Sequence, residues 1–472
     1  MEEKNSSEPK EWAEKNFGES DLGDKRRTNR VVKIASAMAE NPGKSIPEYF
    51  DGYDLTAAYD LFNREEATPE NIQKPHLENV RGRMREEGVF LLLEDSSDLT
   101  WPGNLDIEGL QPICGDNINT LGFILHTVLA VKWPNEGAKN LGISEPRPPV
   151  EVLGLAYQKM HSRIPRAEKK RSKIPPNRWR ESMLWTESGV DIGAAPEGAR
   201  WAAVCDRGAD IYEFIMDLNR LGYGYRIRAA HNRVLEDIDD ACGGRLFDKI
   251  RSMKEIGSFE IFLRSRPGKP ARNAILRVSA CDVKVRSPQR SKSRAGMLPP
   301  IECAVLRVWE EGNDLEWIIL CEKSPSNLEE AREIVAQYAT RWLIEEYHKG
   351  LKSGLGAEKL RLETKDRLFA AIAIMSVITV RLLWIKEMAR IMPDAPAKSA
   401  GLGAIEIMVL EKHLERAIKT VRDVALAVGA LGGHQNRKYD GMPGWKTLYR
   451  GAAKLALMVM GYNLAMRTGK FD

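Results

Sequence analysis

One short segment of the chain carries an unusual mixture of side chains on a single side. The stretch YATRWLIEEYHKGLKSG places a phenol, two cations and a carboxylate at Tyr338, Arg341, Lys352 and Glu345. In a continuous helix these positions fall within an arc of roughly 60°. A solvated face held by weak surface ion pairs is the commonest explanation of such a pattern. The segment therefore defines a site only if the rest of the chain supplies partners for it.

Two apolar runs supply candidate partners, because each is followed by acidic residues. VFLLL at 89–93 leads into Asp95, and WAAVC at 201–205 leads into Asp206. Runs of this kind are typical of strands covered on both faces, and open α/β sheets build their sites where such strands end. With Glu345 on a helix packed across the sheet, the three carboxylates are hard oxygen ligands suited to Mg²⁺ or Mn²⁺. Two such ions can activate a water or a 3′-hydroxyl in phosphoryl transfer and stabilise the leaving oxygen.

Spacing alone leaves other carboxylates open. Asp98, Asp210 and Glu346 lie beside the three candidates and are equally acidic. The seven histidines show no HExxH or comparable ligand spacing, and the six cysteines form no CxxC pair. A zinc site and a disulfide scaffold are therefore disfavoured, and a reducing cytosol is expected.

Composition and length set the broad class. The chain has 472 residues, 43% of them hydrophobic and 29% charged, which indicates a soluble globular protein of about three domains. The net charge of +4 is small, so a nucleic-acid partner has to be argued from local clusters. No apolar signal region is present near the start, and the run LFAAIAIMSVITV at 368–380 is too short for a membrane span. We interpret this run as a buried helix and expect no membrane partner.

The pattern divides the chain into four regions. The first part, to about residue 68, is predicted to be helical, with Asp24 as the cap of a helix that carries Arg26, Arg30 and Lys33 on one face. An α/β region follows. It is interrupted at about 236–325 by short alternating segments that predict an all-β insertion. Helices return from residue 327, where LEEAREIVAQYATRWLIEEYHKGLK is predicted to be one long helix, and continue to the end.

Four motifs in order resemble a known family, the DDE transposases of the insertion-sequence-four group. They are LGDKRRTNR near the start, LLLEDSSDLTW around Asp95, VCDRGADI around Asp206 and YATRWLIEEYHKGLKSGLGAE around Glu345. The last contains the family signature Tyr-x2-Arg-x3-Glu-x6-Lys. The resemblance runs over nearly the whole chain and implies an α/β, ribonuclease-H-like mixed sheet with an all-β insertion, flanked by α-helical domains. The implied domains are 1–68 for DNA binding, 69–371 for catalysis and 372–472 for dimerisation.

The resemblance also implies roles for individual residues. Asp95, Asp206 and Glu345 would be the catalytic metal ligands, holding two Mg²⁺ ions that Mn²⁺ can replace. Tyr338, Arg341 and Lys352 would bind phosphates beside the scissile bond, which gives the stripe a function. The remaining positions expected to contact DNA are Arg228, Trp317, Arg26, Arg27, Arg30, Arg361 and Glu363. Trp317 would stack a flipped base, the three N-terminal arginines would bind the element's ends, and Arg361 and Glu363 would touch the DNA of a partner protomer.

The function expected from these features is that of a cut-and-paste transposase. Such an enzyme binds the inverted ends of its element as a homodimer, cleaves double-stranded DNA through a hairpin intermediate and joins the 3′ ends to target DNA. It would work on the nucleoid in the bacterial cytosol. The alternative is a catalytically silent descendant that is retained as a DNA-binding protein. A silent descendant has no need for the three carboxylates together with Tyr338, Arg341 and Lys352, and all six are present.

Overall fold

A computed structural model describes residues 9–114, 117–139, 141–142, 146–163, 179–236, 244–263, 270–288, 298–437 and 441–468. Two basic segments of the sequence, RIPRAEKKRSKIPPNRWR at 163–180 and KVRSPQRSKSRAG at 284–296, are predicted to be a connection and a loop and fall largely outside these ranges. The architecture is mixed α/β, with one ten-stranded sheet and helices at both ends of the chain. The fold class expected from the sequence is confirmed.

The N-terminal part consists of four helices: α1 (Pro9–Phe17), α2 (Lys25–Glu40), α3 (Gly52–Phe62) and α4 (Pro69–Met84). Asp24 caps α2 as predicted, since its Oδ1 accepts a hydrogen bond of 2.7 Å from the backbone N–H of Arg26. The apolar face of α2 is buried in the core. Thr68 caps α4 in the same way, so the expected boundary after residue 68 coincides with a helix start.

The sheet has a central trio of strands with a long antiparallel region on each side. Its strands are β1 (Gly88–Pro102), β2 (Gln111–Cys114), β3 (Asn117–Trp133), β4 (Glu151–His161), β5 (Ala199–Cys205), β6 (Gly224–Arg228), β7 (Gly257–Leu263), β8 (Arg272–Val285), β9 (Ile301–Glu310) and β10 (Glu316–Cys321). Their order is β2-β3-β1-β5-β6-β10-β9-β8-β7, with β4 paired to β3. β1, β5 and β6 are parallel, and the other pairings are antiparallel. Helices α5 (Met183–Ile192) and α6 (Tyr212–Arg220) pack on one face.

The insertion extends this sheet. Strands β7 to β10 join it through the pairing of β10 with β6, and the insertion also holds a short helix, α7 (Leu246–Ser252). Because β10 pairs with β6, the insertion continues both faces of the sheet formed by β1, β5 and β6.

The sequence predicted one long helix from about residue 328, and this prediction is wrong. The segment is divided into α8 (Leu328–Ala339), α9 (Trp342–Lys349) and a π-helical turn at Gly350–Gly354. At the break the hydroxyl of Thr340 donates a hydrogen bond of 3.0 Å to the carbonyl of Ala336. Threonine bonded to the carbonyl four residues earlier favours such bends.

The C-terminal part begins with a central buried helix, α10 (Lys365–Ile391). By length and composition α10 could span a membrane, but 83% of its most apolar window is buried inside the protein, as expected of a core helix. Helices α11 (Ala404–Leu414), α12 (Val421–Leu431) and α13 (Trp445–Thr468) surround it. The boundary expected between residues 371 and 372 falls inside α10.

Candidate active site and DNA-contacting residues

Asp95 and Asp206 lie side by side on the two central parallel strands. The register of β1 and β5 pairs Glu94 with Cys205, so the two aspartates follow where β5 ends. β1 itself continues to residue 102 because β3 pairs with it over its whole length, so Asp95 lies within a strand and not after its end.

The pKa of Asp95 reports how crowded this site is. Burial, and then the negative charge of Asp206, raise the pKa of the Asp95 carboxyl to about 6. The charge of Glu345 raises this pKa further, whereas a hydrogen bond of 2.8 Å from the Ser96 N–H and the charge of Arg341 oppose the rise. Both other predicted carboxylates thus act electrostatically on Asp95.

Glu345 projects from α9 but is engaged by a cation. Its Oε1 accepts a hydrogen bond of 2.6 Å from the guanidinium of Arg341, one turn earlier. Among the residues that the structure describes, no group of three or more histidine, cysteine, aspartate or glutamate side chains is placed to hold a metal ion. The donor set nevertheless suits a divalent cation, because carboxylate oxygens are its preferred ligands and a cation would relieve the repulsion at Asp95.

The neighbouring carboxylates left open by the sequence have other surroundings. Asp98 is exposed, and its odd spacing from Asp95 along β1 directs it to the opposite face of the sheet. Asp210 is buried and accepts hydrogen bonds from Arg233 and from the backbone N–H of Ala230. Glu346 forms an ion pair with Lys386 of α10. None of the three faces Asp95 in the way that Glu345 does.

Tyr338 and Arg341 lie next to the carboxylates in spite of the helix break. Tyr338 is buried, the Arg341 guanidinium lies 6.0 Å from the centre of its ring, and burial raises the pKa of its hydroxyl. The ring of Trp317 meets the Tyr338 ring edge to face, with 5.7 Å between centroids. Arg228 is opposite Ile319 on β10, two residues from Trp317, and its positive charge also acts on Tyr338.

Lys352 lies on the π turn and not in a continuous helix. Burial, and then the charge of Lys352, lower the pKa of His348, whose ring faces Asp95. Of the predicted stripe, Arg341 and Glu345 thus act electrostatically on Asp95, Tyr338 interacts with Asp206, and Lys352 acts on His348. Single π turns within helices are frequent at functional sites.

The N-terminal arginines are arranged unequally. Arg26 is exposed, whereas Arg27 forms an ion pair of 2.7 Å with Glu66, and Arg30 forms one of 2.7 Å with Asp54. Lys33 shares Asp54 with Arg30. Two of the three predicted end-binding cations are thus partly neutralised within the protein.

Arg361 and Glu363 lie on the surface after the π turn. Both are exposed, and Glu363 forms an ion pair of 2.5 Å with Arg367. Nearby, the Trp101 indole donates a hydrogen bond of 3.1 Å to the carbonyl of Leu360, which ties this segment to the end of β1.

Sequence reasoning missed two sets of buried polar residues around Asp95. His348 lies one turn after Glu345 on α9, and only its spacing from Glu345 could have signalled it. On the opposite face of β1, Ser96 and Glu94 are joined through His126, with distances of 2.7 Å from Ser96 Oγ to Nδ1 and 2.8 Å from Glu94 Oε1 to Nε2. This chain of contacts fixes the strand on both sides of Asp95.

Two parts of the chain match known protein families. Residues 9–67 match the family model described as Transposase DNA-binding, and residues 202–381 match the one described as Transposase DDE domain. The second range contains Asp206, Glu345 and Lys352. The strand order β4-β3-β1-β5-β6 is the ribonuclease-H-like core that a DDE domain implies. The chain thus carries a DNA-binding domain and a catalytic domain of the DDE transposase type, and DNA is its partner.

Proposed function

We propose that this protein is a cut-and-paste transposase of the insertion-sequence-four group, similar to the bacterial transposon-five transposase. The observation that carries the proposal is the crowding of Asp95, Asp206 and Glu345, with Tyr338 and Arg341 against them. An acidic cluster bordered by cations and a phenol suits a phosphodiester whose charge has to be held beside metal ligands. The resemblance to the transposon-five enzyme supports the finer assignment.

Each side chain has a role in this proposal. Asp95, Asp206 and Glu345 would hold two Mg²⁺ or Mn²⁺ ions, which activate the attacking oxygen and stabilise the leaving one when bound. Arg341 would release Glu345 and turn to a phosphate as DNA enters, because a phosphate competes for the same guanidinium. Lys352 and Arg228 would neutralise the flanking phosphates, and the buried Tyr338 hydroxyl would orient the strand.

Hairpin formation and end pairing are the remaining steps. A 3′-hydroxyl freed by the first cut would attack the opposite strand, and Trp317 would stack the base that leaves the helix. Two protomers would bridge two ends, with Arg26, Arg27 and Arg30 on one end and with Arg361 and Glu363 on the DNA held by the partner. This reaction belongs to the bacterial cytosol, on the nucleoid.

The test is cleavage of duplex DNA that carries the element's inverted ends, with Mg²⁺. The isosteric changes Asp95→Asn, Asp206→Asn and Glu345→Gln should each lower nicking by about 10³-fold or more, because each removes a ligand charge. Paired-end complexes should persist on gels, since recognition does not depend on these carboxylates.

The matched control is Asp98→Asn on the same strand. It should cleave like the wild type because Asp98 points to the other face of β1. Binding of the ends without any cleavage by the wild-type protein would favour a silent descendant. Appreciable cleavage by Glu345→Gln would defeat the assignment of that residue.

A further inference from the structure

His348 is a buried side chain that has no role in the proposed mechanism. Its ring is 6% exposed, and its Nδ1 lies 4.0 Å from Oδ2 of Asp95. Its Nε2 is buried and has no hydrogen-bond partner among the described residues. Buried polar atoms are rarely left without a partner unless they have a function.

The surroundings of the ring decide where its proton resides. The ring has no hydrogen-bond partner at Nε2 among the described residues and faces a carboxylate oxygen at Nδ1. A neutral imidazole has one N–H, and a buried N–H without an acceptor is costlier than an acceptor without a donor. The acceptor near this ring is Asp95 Oδ2, next to Nδ1. The proton therefore belongs on Nδ1.

Asp95 needs a contact of this kind. Its Oδ1 accepts a hydrogen bond of 2.8 Å from the Ser96 N–H. A carboxylate held at one oxygen can still rotate, and 4.0 Å is too long for a hydrogen bond from Nδ1 to the other oxygen. A displacement of about 1 Å would close this distance.

We propose that His348 is a positioning residue for Asp95: when DNA and a divalent cation are bound, its Nδ1–H donates a hydrogen bond to Oδ2 and fixes the plane of the carboxylate. The inference rests on the proposed function. Each oxygen keeps a second lone pair for a cation, so the hydrogen bond orients the ligand without replacing it. Loss of such an outer contact costs about 10- to 100-fold in metal affinity or activity.

Two amide substitutions separate this role from a merely structural one. The side-chain N–H₂ of asparagine can occupy the place of Nδ1, whereas that of glutamine extends to the place of Nε2. His348→Asn should therefore keep near wild-type cleavage in a Mn²⁺ titration. His348→Gln and His348→Leu should need about 10- to 100-fold more Mn²⁺ for half-maximal cleavage.

Direct Mn²⁺ binding to the protein–DNA complex provides a readout besides activity. Electron paramagnetic resonance would measure it, with Asp95→Asn as the blank, and should rank the variants in the same order. Tyr347→Phe is the control, because it removes a buried hydroxyl from the neighbouring position, bonded to Gln158, without facing Asp95. It should lose thermal stability and keep its Mn²⁺ affinity.

The outcomes separate the inference from the proposed function. Equal Mn²⁺ dependence of the Asn, Gln and Leu variants, in a wild type whose cleavage requires Asp95, would overturn the role of His348. The role of His348 would also be overturned if the Mn²⁺ dependence of the Asn and Gln variants differed from that of the wild type only in proportion to their melting temperatures. A wild type that neither cleaves nor binds Mn²⁺ more tightly than Asp95→Asn would overturn the proposed function itself.

Discussion

At the residue scale, two tryptophans of the insertion lie on opposite faces of the sheet, and only one of them lies on the face of the candidate site. Trp317 and Trp309 are on neighbouring strands, but Trp317 pairs with Val308 and Glu316 pairs with Trp309. Paired residues share a face, so the two indoles point in opposite directions. Trp317 faces Tyr338, while Trp309 stacks under Arg307 at 4.1 Å on the other side.

This arrangement gives a prediction for hairpin formation. Trp317→Ala should leave first-strand nicking intact and slow hairpin formation by roughly 10- to 100-fold, because stacking of a base on an aromatic ring contributes about 1 to 3 kcal/mol. Time courses on denaturing gels would measure both steps. An abasic nucleotide at the flipped position should partly restore the rate.

Trp309→Ala is the matched control and should change neither step. If nicking, hairpin formation and thermal stability of Trp317→Ala all fell together, Trp317 would be a core residue only. The half-buried state of Trp317 leaves part of its ring available to a base.

At the scale of elements, the backbone of the π turn packs against the ring of Trp445 in the C-terminal helix α13. A Cβ atom at Gly350 would lie 2.3 Å from Cζ2 of Trp445 and 3.0 Å from Cγ2 of Thr379. The same turn carries Lys352. The position of a cation of the site therefore depends on a helix about a hundred residues later in the chain.

Gly350→Ala should therefore disturb both stability and catalysis. Overpacking of this kind costs about 1 to 3 kcal/mol, and the resulting shift of the turn would move Lys352 and reduce cleavage. Denaturant unfolding and the cleavage assay would measure the two effects. Trp445→Phe in the same chain should recover part of both, since it removes the atoms that collide.

The control is Gly82→Ala in α4, where a Cβ meets no atom within 4 Å. This change should be neutral or stabilise by about 0.4 to 1 kcal/mol. Additive effects of Gly350→Ala and Trp445→Phe would show that the two residues are not coupled.

At the scale of the whole molecule, a neutral histidine joins the N-terminal helices to the sheet. His76 of α4 has Nδ1 2.8 Å from Asn16 Oδ1 of α1, and its Nε2 accepts a hydrogen bond of 3.0 Å from the Leu155 N–H of β4. Burial lowers the pKa of His76 to about 3 from an ordinary value of 6.5. At pH values between these two pKa values, the unfolded chain therefore binds a proton at His76 that the folded chain does not bind.

Acid should accordingly weaken the fold. The contribution of His76 to stability is fully present above pH 6.5 and is lost as pH falls toward 3, with a limiting slope of about 1.4 kcal/mol per pH unit. Between pH 7.5 and 5.5 the wild type should lose roughly 1 to 1.5 kcal/mol more than His76→Gln does. Urea unfolding at the two pH values would measure the difference, and equal losses would contradict the assignment.

The apolar stripe on the C-terminal helix belongs to the same scale. Leu457, Met460 and Leu464 of α13 are 53%, 46% and 65% exposed and lie at helical spacing. If they form the interface of the proposed homodimer, the double variant Leu457→Glu and Leu464→Glu should abolish paired-end complexes and still bind single ends. Gel shifts and sedimentation would distinguish the two species.

Val190→Glu is the control for this experiment, because Val190 is 57% exposed on α5 of the catalytic core. It should pair ends like the wild type. Persistence of paired ends in the α13 variant would place the interface elsewhere. A truncation near residue 372 would not test this interface, because it would cut through the buried helix α10.

Local signals were sufficient for much of this protein. Asp24 as a cap, the two apolar runs as buried strands and the run at 368–380 as a buried helix all follow from short-range patterns, and the structure agrees with them. Capping, periodicity and burial act over a few residues, so the sequence carries them directly. The order of the four motifs added the family resemblance, and the two domain matches support its broader part, a DDE transposase with a DNA-binding domain.

Only the tertiary structure decided which neighbours these elements meet. The helix break at Thr340, the engagement of Glu345 by Arg341 and the pairing of Arg30 with Asp54 depend on atoms brought together by packing. The same is true of His348 beside Asp95, since the two residues lie far apart in the chain. A side chain's type and spacing fix what it can bind. The contacts between distant segments, which no local pattern encodes, fix what it does bind.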